Sequence, residues 1–254
     1  MKHSCAMTAR LFISLLICAS GLYAQQPALR VLSSNGIRAV MEQVLPQAEK
    51  AAGRKIALEF ATSNSLRTRI AAGEAFDVAL LTSEPLDALV AAGKIDGATR
   101  VNLANSGIAV GVRKGARKPD LRTPAAFKQA LVSAKSITYA QEGASRLQIE
   151  KIVAQFGIAA EVKAKTIFEP SSTGATEDVV QGKAELVLTL ASEIIPVAGL
   201  ELAGLLPQEL QNYVTIGAGI SPQSKNRETG QALIRFLSSS AIDAALKANG
   251  MQRR

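Results

Sequence analysis

The chain has 254 residues, with 29 Lys and Arg against 21 Asp and Glu for a net charge of +8, two cysteines, one histidine and no tryptophan. Cys5, Cys18 and His3 all lie in the first 24 residues. Without that segment there is no thiol or imidazole, which excludes disulfides, Ser-His-Asp and Cys-His catalysis and ordinary zinc sites.

Lys2 and Arg10 precede the apolar run from Leu11 to Cys18, and Ala19-Ser20-Gly21-Leu22-Tyr23-Ala24 follows with small residues. This pattern predicts a secretory signal peptide over residues 1–24, cleaved after Ala24 and too short to span a membrane. Ile17 is too bulky for the small-residue site of a lipid-anchored Cys18. The product is therefore expected to be periplasmic, with no stable membrane insertion. Loss of Lys2 and Arg10 lowers its net charge from +8 to +6, a bias that attracts anions at long range.

Leu29-Arg30-Val31-Leu32 reads as a strand, followed by Ser33-Ser34-Asn35-Gly36 and a helical stretch from Ile37 in which Pro46 is expected to introduce a kink. Ile56, Leu58 and Phe60 alternate as a half-buried strand. Thr62-Ser63-Asn64-Ser65 then leads into a helix carrying Leu66 and Ile70. Asp77-Val78-Ala79-Leu80-Leu81 is a third strand, and Thr82-Ser83-Glu84-Pro85 starts a third helix. Three successive units of strand, hydroxyl loop and helix predict an α/β sheet with helices on its faces.

Ile108 to Val112 is the next strand, and Asn105-Ser106 before it reads as a crossing between domains. Lys114 to Asp120 is a basic turn without interleaved aromatics, which argues against a nucleic-acid partner. Ser136 to Tyr139 is a strand whose loop ends in Ser145 before a helix from Arg146. Val162 to Phe168 reads as extended. Ser171-Ser172-Thr173-Gly174 precedes a short helix, and Leu186 to Leu190 is a buried strand. Val214 to Ile216 reads as a returning strand, followed by helices from Arg227 to Leu237 and from Ala241 to Ala248.

The loops at Ser33, Ser63, Thr82, Ser145 and Ser172 repeat one arrangement, hydroxyls and free N–H groups at the positive end of a helix. If they converge beyond the carboxyl ends of the strands, they form an anion site without a buried Lys. Donor-only walls favour a fully deprotonated oxyanion over a ligand that must itself donate. Asp77 and Glu84 read as a strand opening and a helix first turn rather than a catalytic pair. Glu142 remains open between a ligand contact and an exposed side chain.

From about Leu29 to Met251 the chain resembles the periplasmic molybdate-binding family of ABC-transporter solute-binding proteins. The resemblance is carried by Phe60 to Leu66 with Ile70, by Gly73 to Asp77, and more loosely by Gly182 to Leu188 and Asn226 to Gly250. It implies a type II periplasmic binding protein fold, α/β, with two lobes, each a mixed sheet flanked by helices, and two crossover strands. The lobes would be 25–106 plus 217–254, and 107–216.

The resemblance also implies a non-enzymatic, monomeric receptor without cofactor or structural metal. It would capture a molybdate- or tungstate-like oxyanion in the interlobe cleft and deliver it to a permease. Family ligand positions fall on Ser63, Thr82, Ser145 and near Ser172. The first-loop serine aligns near Asn35-Gly36, so Ser33, Ser34 or Asn35 substitutes for it, or the loop contributes backbone only. Leu190 stands where the family has a tyrosine; it removes a donor and leaves an apolar wall with room for a larger organic anion. The alternative is therefore a binding protein or sensor for a small organic anion, or an enzyme on the same fold.

Overall fold

A computed structural model describes residues 27–253 as a mixed α/β structure. The segment 1–24 assigned as a signal peptide lies outside the described residues. The first units are β1 (Leu29–Ser34), α1 (Arg38–Ala52), β2 (Ile56–Ala61), α2 (Ser63–Ala71), β3 (Val78–Thr82) and α3 (Ser83–Ala91). β1 pairs in parallel with β2, Leu29 opposite Ile56, and with β3, Val31 opposite Val78. Parallel neighbours need a crossover, and α1 and α2 supply it. α1 continues past Pro46 and stops at Gly53, whose φ of 66° is the left-handed conformation that glycine adopts without a Cβ penalty.

The chain continues through β4 (Val101–Arg113), α4 (Pro124–Ser133), β5 (Ile137–Ala140), α5 (Arg146–Gln155), α6 (Ala159–Ala164) and β6 (Thr166–Glu169). It then forms α7 (Ser172–Val180), β7 (Leu186–Leu190), α8 (Ala191–Ile194), β8 (Leu200–Leu205) and β9 (Tyr213–Ile220). α9 (Arg227–Ser238), α10 (Asp243–Ala248) and β10 (Met251–Arg253) complete it. The strand order is β2-β1-β3-β9-β4-β7-β5-β6, with β8 and β10 also paired to β4. Up to Gly107, β4 bonds to β9 and β10; from Ile108 it bonds to β7 and β8. One strand thus belongs to two sheets, and Tyr213 of β9 lies opposite Gly107 at the changeover.

Each sheet is covered on both faces. Val31 packs with Met41 and Val44 of α1 and with Leu233 of α9, whereas Leu32 points to the opposite face with Leu66 of α2 and Leu86 of α3. In the second sheet Val110 joins Phe127 of α4 and Ile149 of α5, while Ala109 joins Val179 of α7 and Ile194 of α8. Strands buried on both sides explain the near-continuous apolar runs at Val78–Thr82 and Leu186–Leu190.

Two local expectations change. Val162 was expected in an extended segment but lies in α6, because Ile158 and Val162, four residues apart, enter the same core; only Thr166–Glu169 is strand. β8 and β10 were not anticipated; both are short and acquire their pairing from β4. No described helix is long and apolar enough to cross a membrane.

Candidate functional site

Side-chain caps shape three of the five hydroxyl loops, and Thr82 and Ser145 make none. Ser34 Oγ accepts the N–H of Gly36 at 3.2 Å and starts a 3-10 turn, Asn35–Ile37, that leads into α1. Fully buried Ser33 donates to the Ser34 carbonyl at 3.3 Å. At α2 the cap is Thr62, whose Oγ1 accepts the N–H of Ser65 at 3.2 Å. Ser63 Oγ instead accepts the N–H of Thr82 at 3.0 Å, joining the second and third loops. At α7 the cap is Ser171, which accepts from Gly174 N–H at 3.3 Å. Ser172, the first helical residue, donates to Glu193 Oε1 at 2.7 Å. Ser145 is buried at the start of α5 and makes no side-chain cap bond.

A cleft of about 420 Å³ opens between the two halves. Asn35, Arg38, Phe60, Thr62 and Ser65 form one wall, and Gln141, Glu142, Ser171 and Thr173 the other. A neighbouring cavity of about 250 Å³ shares Asn35, Arg38 and Thr173 and adds Glu42, Ser172, Ser192 and Glu193. Of the side chains expected at the site, Asn35 and Ser172 line these cavities. Ser33, Ser34, Ser63, Thr82, Ser145 and Leu190 are buried and stand outside both linings. Leu190 and Ile216 pack over Gly36; a Cβ there would lie 3.1 Å from a methyl of each, so any larger residue would press both side chains back.

Residues not singled out in the sequence supply the charge. Arg38 donates to Asn35 Oδ1 at 3.1 Å, lies 4.4 Å over the Phe60 ring and sits 3.7 Å from Glu42. Its signal in the sequence was its position three residues after Asn35, in the first turn of α1. Glu193 accepts from Ser172, from Thr189 Oγ1 and, at 3.4 Å, from the Leu190 N–H. Burial pushes its carboxyl up, and the bonds from Thr189, Ser172 and Leu190 pull the other way without cancelling it. Glu142 is exposed; its backbone carbonyl takes the Asn64 amide at 3.4 Å across the cleft. Asp77 is structural: it accepts Arg30 N–H at 2.8 Å, Ser224 at 2.6 Å and Asn226 at 3.0 Å.

The halves also touch away from the cleft mouth. Ser192 Oγ donates to the Gly36 carbonyl at 2.7 Å, and Ser192 N–H donates to Ser106 Oγ at 3.2 Å. The arrangement is chemically asymmetric. It offers an anion one guanidinium and the N-termini of α2 and α7, and it sets the half-buried Glu193 carboxyl in the adjoining cavity. Among the described residues no group of three or more His, Cys, Asp or Glu could hold a metal ion.

A family model described as bacterial extracellular solute-binding protein matches residues 29–252. A protein from a Pseudomonas species named aconitate isomerase is 34% identical over 250 residues, which cover 94% of each chain. Among solved structures, the periplasmic molybdate-binding protein of Azotobacter vinelandii superposes with a TM-score of 0.76 at 18% identity, over 89% of this chain and 99% of that one. PEB3 bound to L-phospholactate superposes with a TM-score of 0.64 at 17% identity, over 89% of this chain and 100% of that one. At such identities the structural likenesses speak for the fold alone, and they bear out the two-lobe binding-protein architecture. The expectation of a non-enzymatic receptor is corrected by the match to the isomerase. The described residues carry no imidazole or thiol, which had removed two kinds of catalysis from the expectation, but carboxylates remain able to move protons.

Proposed function

Because this chain belongs to the bacterial extracellular solute-binding protein family, we propose that it uses the family's cleft as an active site, isomerising a small unsaturated polycarboxylate of the aconitate type. The observation that carries the reading is the 34% identity to the Pseudomonas isomerase across 94% of both chains. The cleft supports it on size. At about 420 Å³ it has room for roughly a dozen waters of about 30 Å³ each, more than one tetrahedral oxyanion needs. Its chemistry supports it as well. Aconitate carries three carboxylates, and the cleft presents the N-termini of α2 and α7 and the Arg38 guanidinium. Each charge-assisted hydrogen bond to a carboxylate contributes about 1.5–3 kcal/mol.

In this reading the lobes, 25–106 with 217–254 and 107–216, close over the substrate and exclude water, and a permease is not required for turnover. The test is to incubate the purified protein lacking residues 1–24 with cis- and with trans-aconitate, and to follow their interconversion by proton NMR. Approach to the same mixture from both sides is expected. Calorimetry with molybdate, tungstate and sulfate runs in parallel. Tight oxyanion binding with no interconversion would return the chain to the role of an oxyanion receptor.

A further inference from the structure

We propose that Glu193 is the proton-carrying base of this isomerisation, with Oε1 as the reacting atom and Ser172 as the group that aims it. The inference rests on the isomerase reading above. Each carboxylate oxygen offers two lone pairs. Oε2 receives Thr189 Oγ1 and the Leu190 N–H, so both of its lone pairs are used. Among the described residues Oε1 receives only the Ser172 hydroxyl, at 2.7 Å, which leaves one lone pair. Glu193 lines the cavity that shares Asn35, Arg38 and Thr173 with the main cleft. The free lone pair thus belongs to a side chain fixed by three donors in the cavity that adjoins the main cleft through Asn35, Arg38 and Thr173.

Other carboxylates are less suited. Glu142 is exposed, and its side chain has no hydrogen bond or ion pair among the described residues to aim it. Glu42 is drawn to Arg38 at 3.7 Å. Arg38 and Glu42 of α1 are also the charged groups that line the Glu193 cavity; α7 presents Ser172, Thr173 and Thr176 there. Burial raises the Glu193 carboxyl above the ordinary range, which makes its carboxylate a stronger base than an exposed one.

The chemistry balances without a co-reactant. Oε1 takes a proton from the methylene carbon that lies next to both a carboxylate and the double bond. The C–H electron pair spreads over the three-carbon allylic unit and its carboxylates, where Arg38 and the N-termini of α2 and α7 meet the added charge. The former double bond loses order and the skeleton turns. The proton on Oε1 returns to the other end of the allylic unit, a double bond forms in the opposite geometry, and Glu193 is a carboxylate again.

The experiment compares Glu193→Gln, Glu193→Asp and Glu142→Gln with the parent, measuring kcat and KM for both aconitates and thermal unfolding of each protein. For Glu193→Gln the expected result is a loss of about 10²–10⁴-fold in kcat with KM within a few-fold. Glu193→Asp should recover part of that loss at unchanged KM, a split that a merely structural role would not give. If Glu193→Gln does not fold, Glu193→Asp decides alone: a kcat drop of more than about tenfold supports the base. Folded Glu193→Gln turning over at the parental rate, Glu193→Asp doing so where Glu193→Gln does not fold, or Glu142→Gln alone abolishing turnover, overturns the assignment and leaves the isomerase reading intact. A parent inactive on both aconitates overturns the two together.

Discussion

Ser63 Oγ accepts the backbone N–H of Thr82 at 3.0 Å, which makes one hydroxyl the pin between the loops that follow β2 and β3. Both residues are buried, so water cannot replace the bond. Ser63→Ala leaves that N–H unpaired and should destabilise the fold by about 1–3 kcal/mol. Thr62→Ala removes only a helix cap and should cost about 1 kcal/mol. Urea unfolding of both variants checks the order; an unchanged midpoint for Ser63→Ala would mean that the pin contributes nothing.

The hydroxyl loops were legible because they follow strands whose apolar runs mark them, and because each helix needs a cap. Which hydroxyl does the capping was not legible. Four short polar residues compete at Thr62 to Ser65; Thr62, the last extended residue, takes the Ser65 N–H, while Ser63, the first helical one, takes the N–H of Thr82. The same exchange occurs between Ser171 and Ser172. Arg38 read as an ordinary polar position on α1, since only the three-dimensional approach of Phe60 shows where it stands. Glu193 gave no signal at all. Its burial depends on α7 and β7 folding around it, and those partners are remote or local in ways that periodicity does not report.

Arg38 supplies the cation of the cleft, so its replacement should act on binding. Arg38→Ala is expected to raise KM for a tricarboxylate about ten- to a hundredfold, the equivalent of a charge-assisted bond worth about 1.5–3 kcal/mol. Arg38→Lys should recover little, because an ammonium cannot keep both the Asn35 bond and the stacking on Phe60. Steady-state kinetics at fixed ionic strength measure this; parental KM in Arg38→Ala would remove the guanidinium from the site.

Glu193 also predicts a pH dependence of stability. Its folded-state carboxyl is raised above the ordinary value of 4.5, chiefly by burial. The folded protein therefore holds this proton where the unfolded chain has already lost it. Stability from this group falls as pH rises from about 4.5 through the higher folded value, and stays lowered above it. Glu74 acts in the opposite direction, since Arg69 holds its carboxyl low and the stability it adds is lost on acidification. The difference in unfolding free energy between parent and Glu193→Gln isolates the first effect. The parent should lose ground to the variant as pH rises across that window, and a flat difference would show that Glu193 is equally acidic in both states.

Leu190 is the sharpest case for packing against specificity. A tyrosine at this position, read from sequence, would restore a donor and tighten a tetrahedral oxyanion. The geometry predicts another result. Leu190 is 2% exposed, and its methyl packs with that of Ile216 over Gly36. A phenol ring in the same direction must displace the turn Asn35–Ile37, which carries the Gly36 carbonyl bonded to Ser192 and precedes Arg38. Leu190→Tyr should therefore destabilise by about 1–3 kcal/mol through overpacking and raise KM for aconitate rather than create a molybdate site. Thermal unfolding and molybdate calorimetry on the variant decide between the two. A stable variant with new, tight molybdate binding would show that the ring reaches the cleft and that position 190 governs which anion the protein accepts.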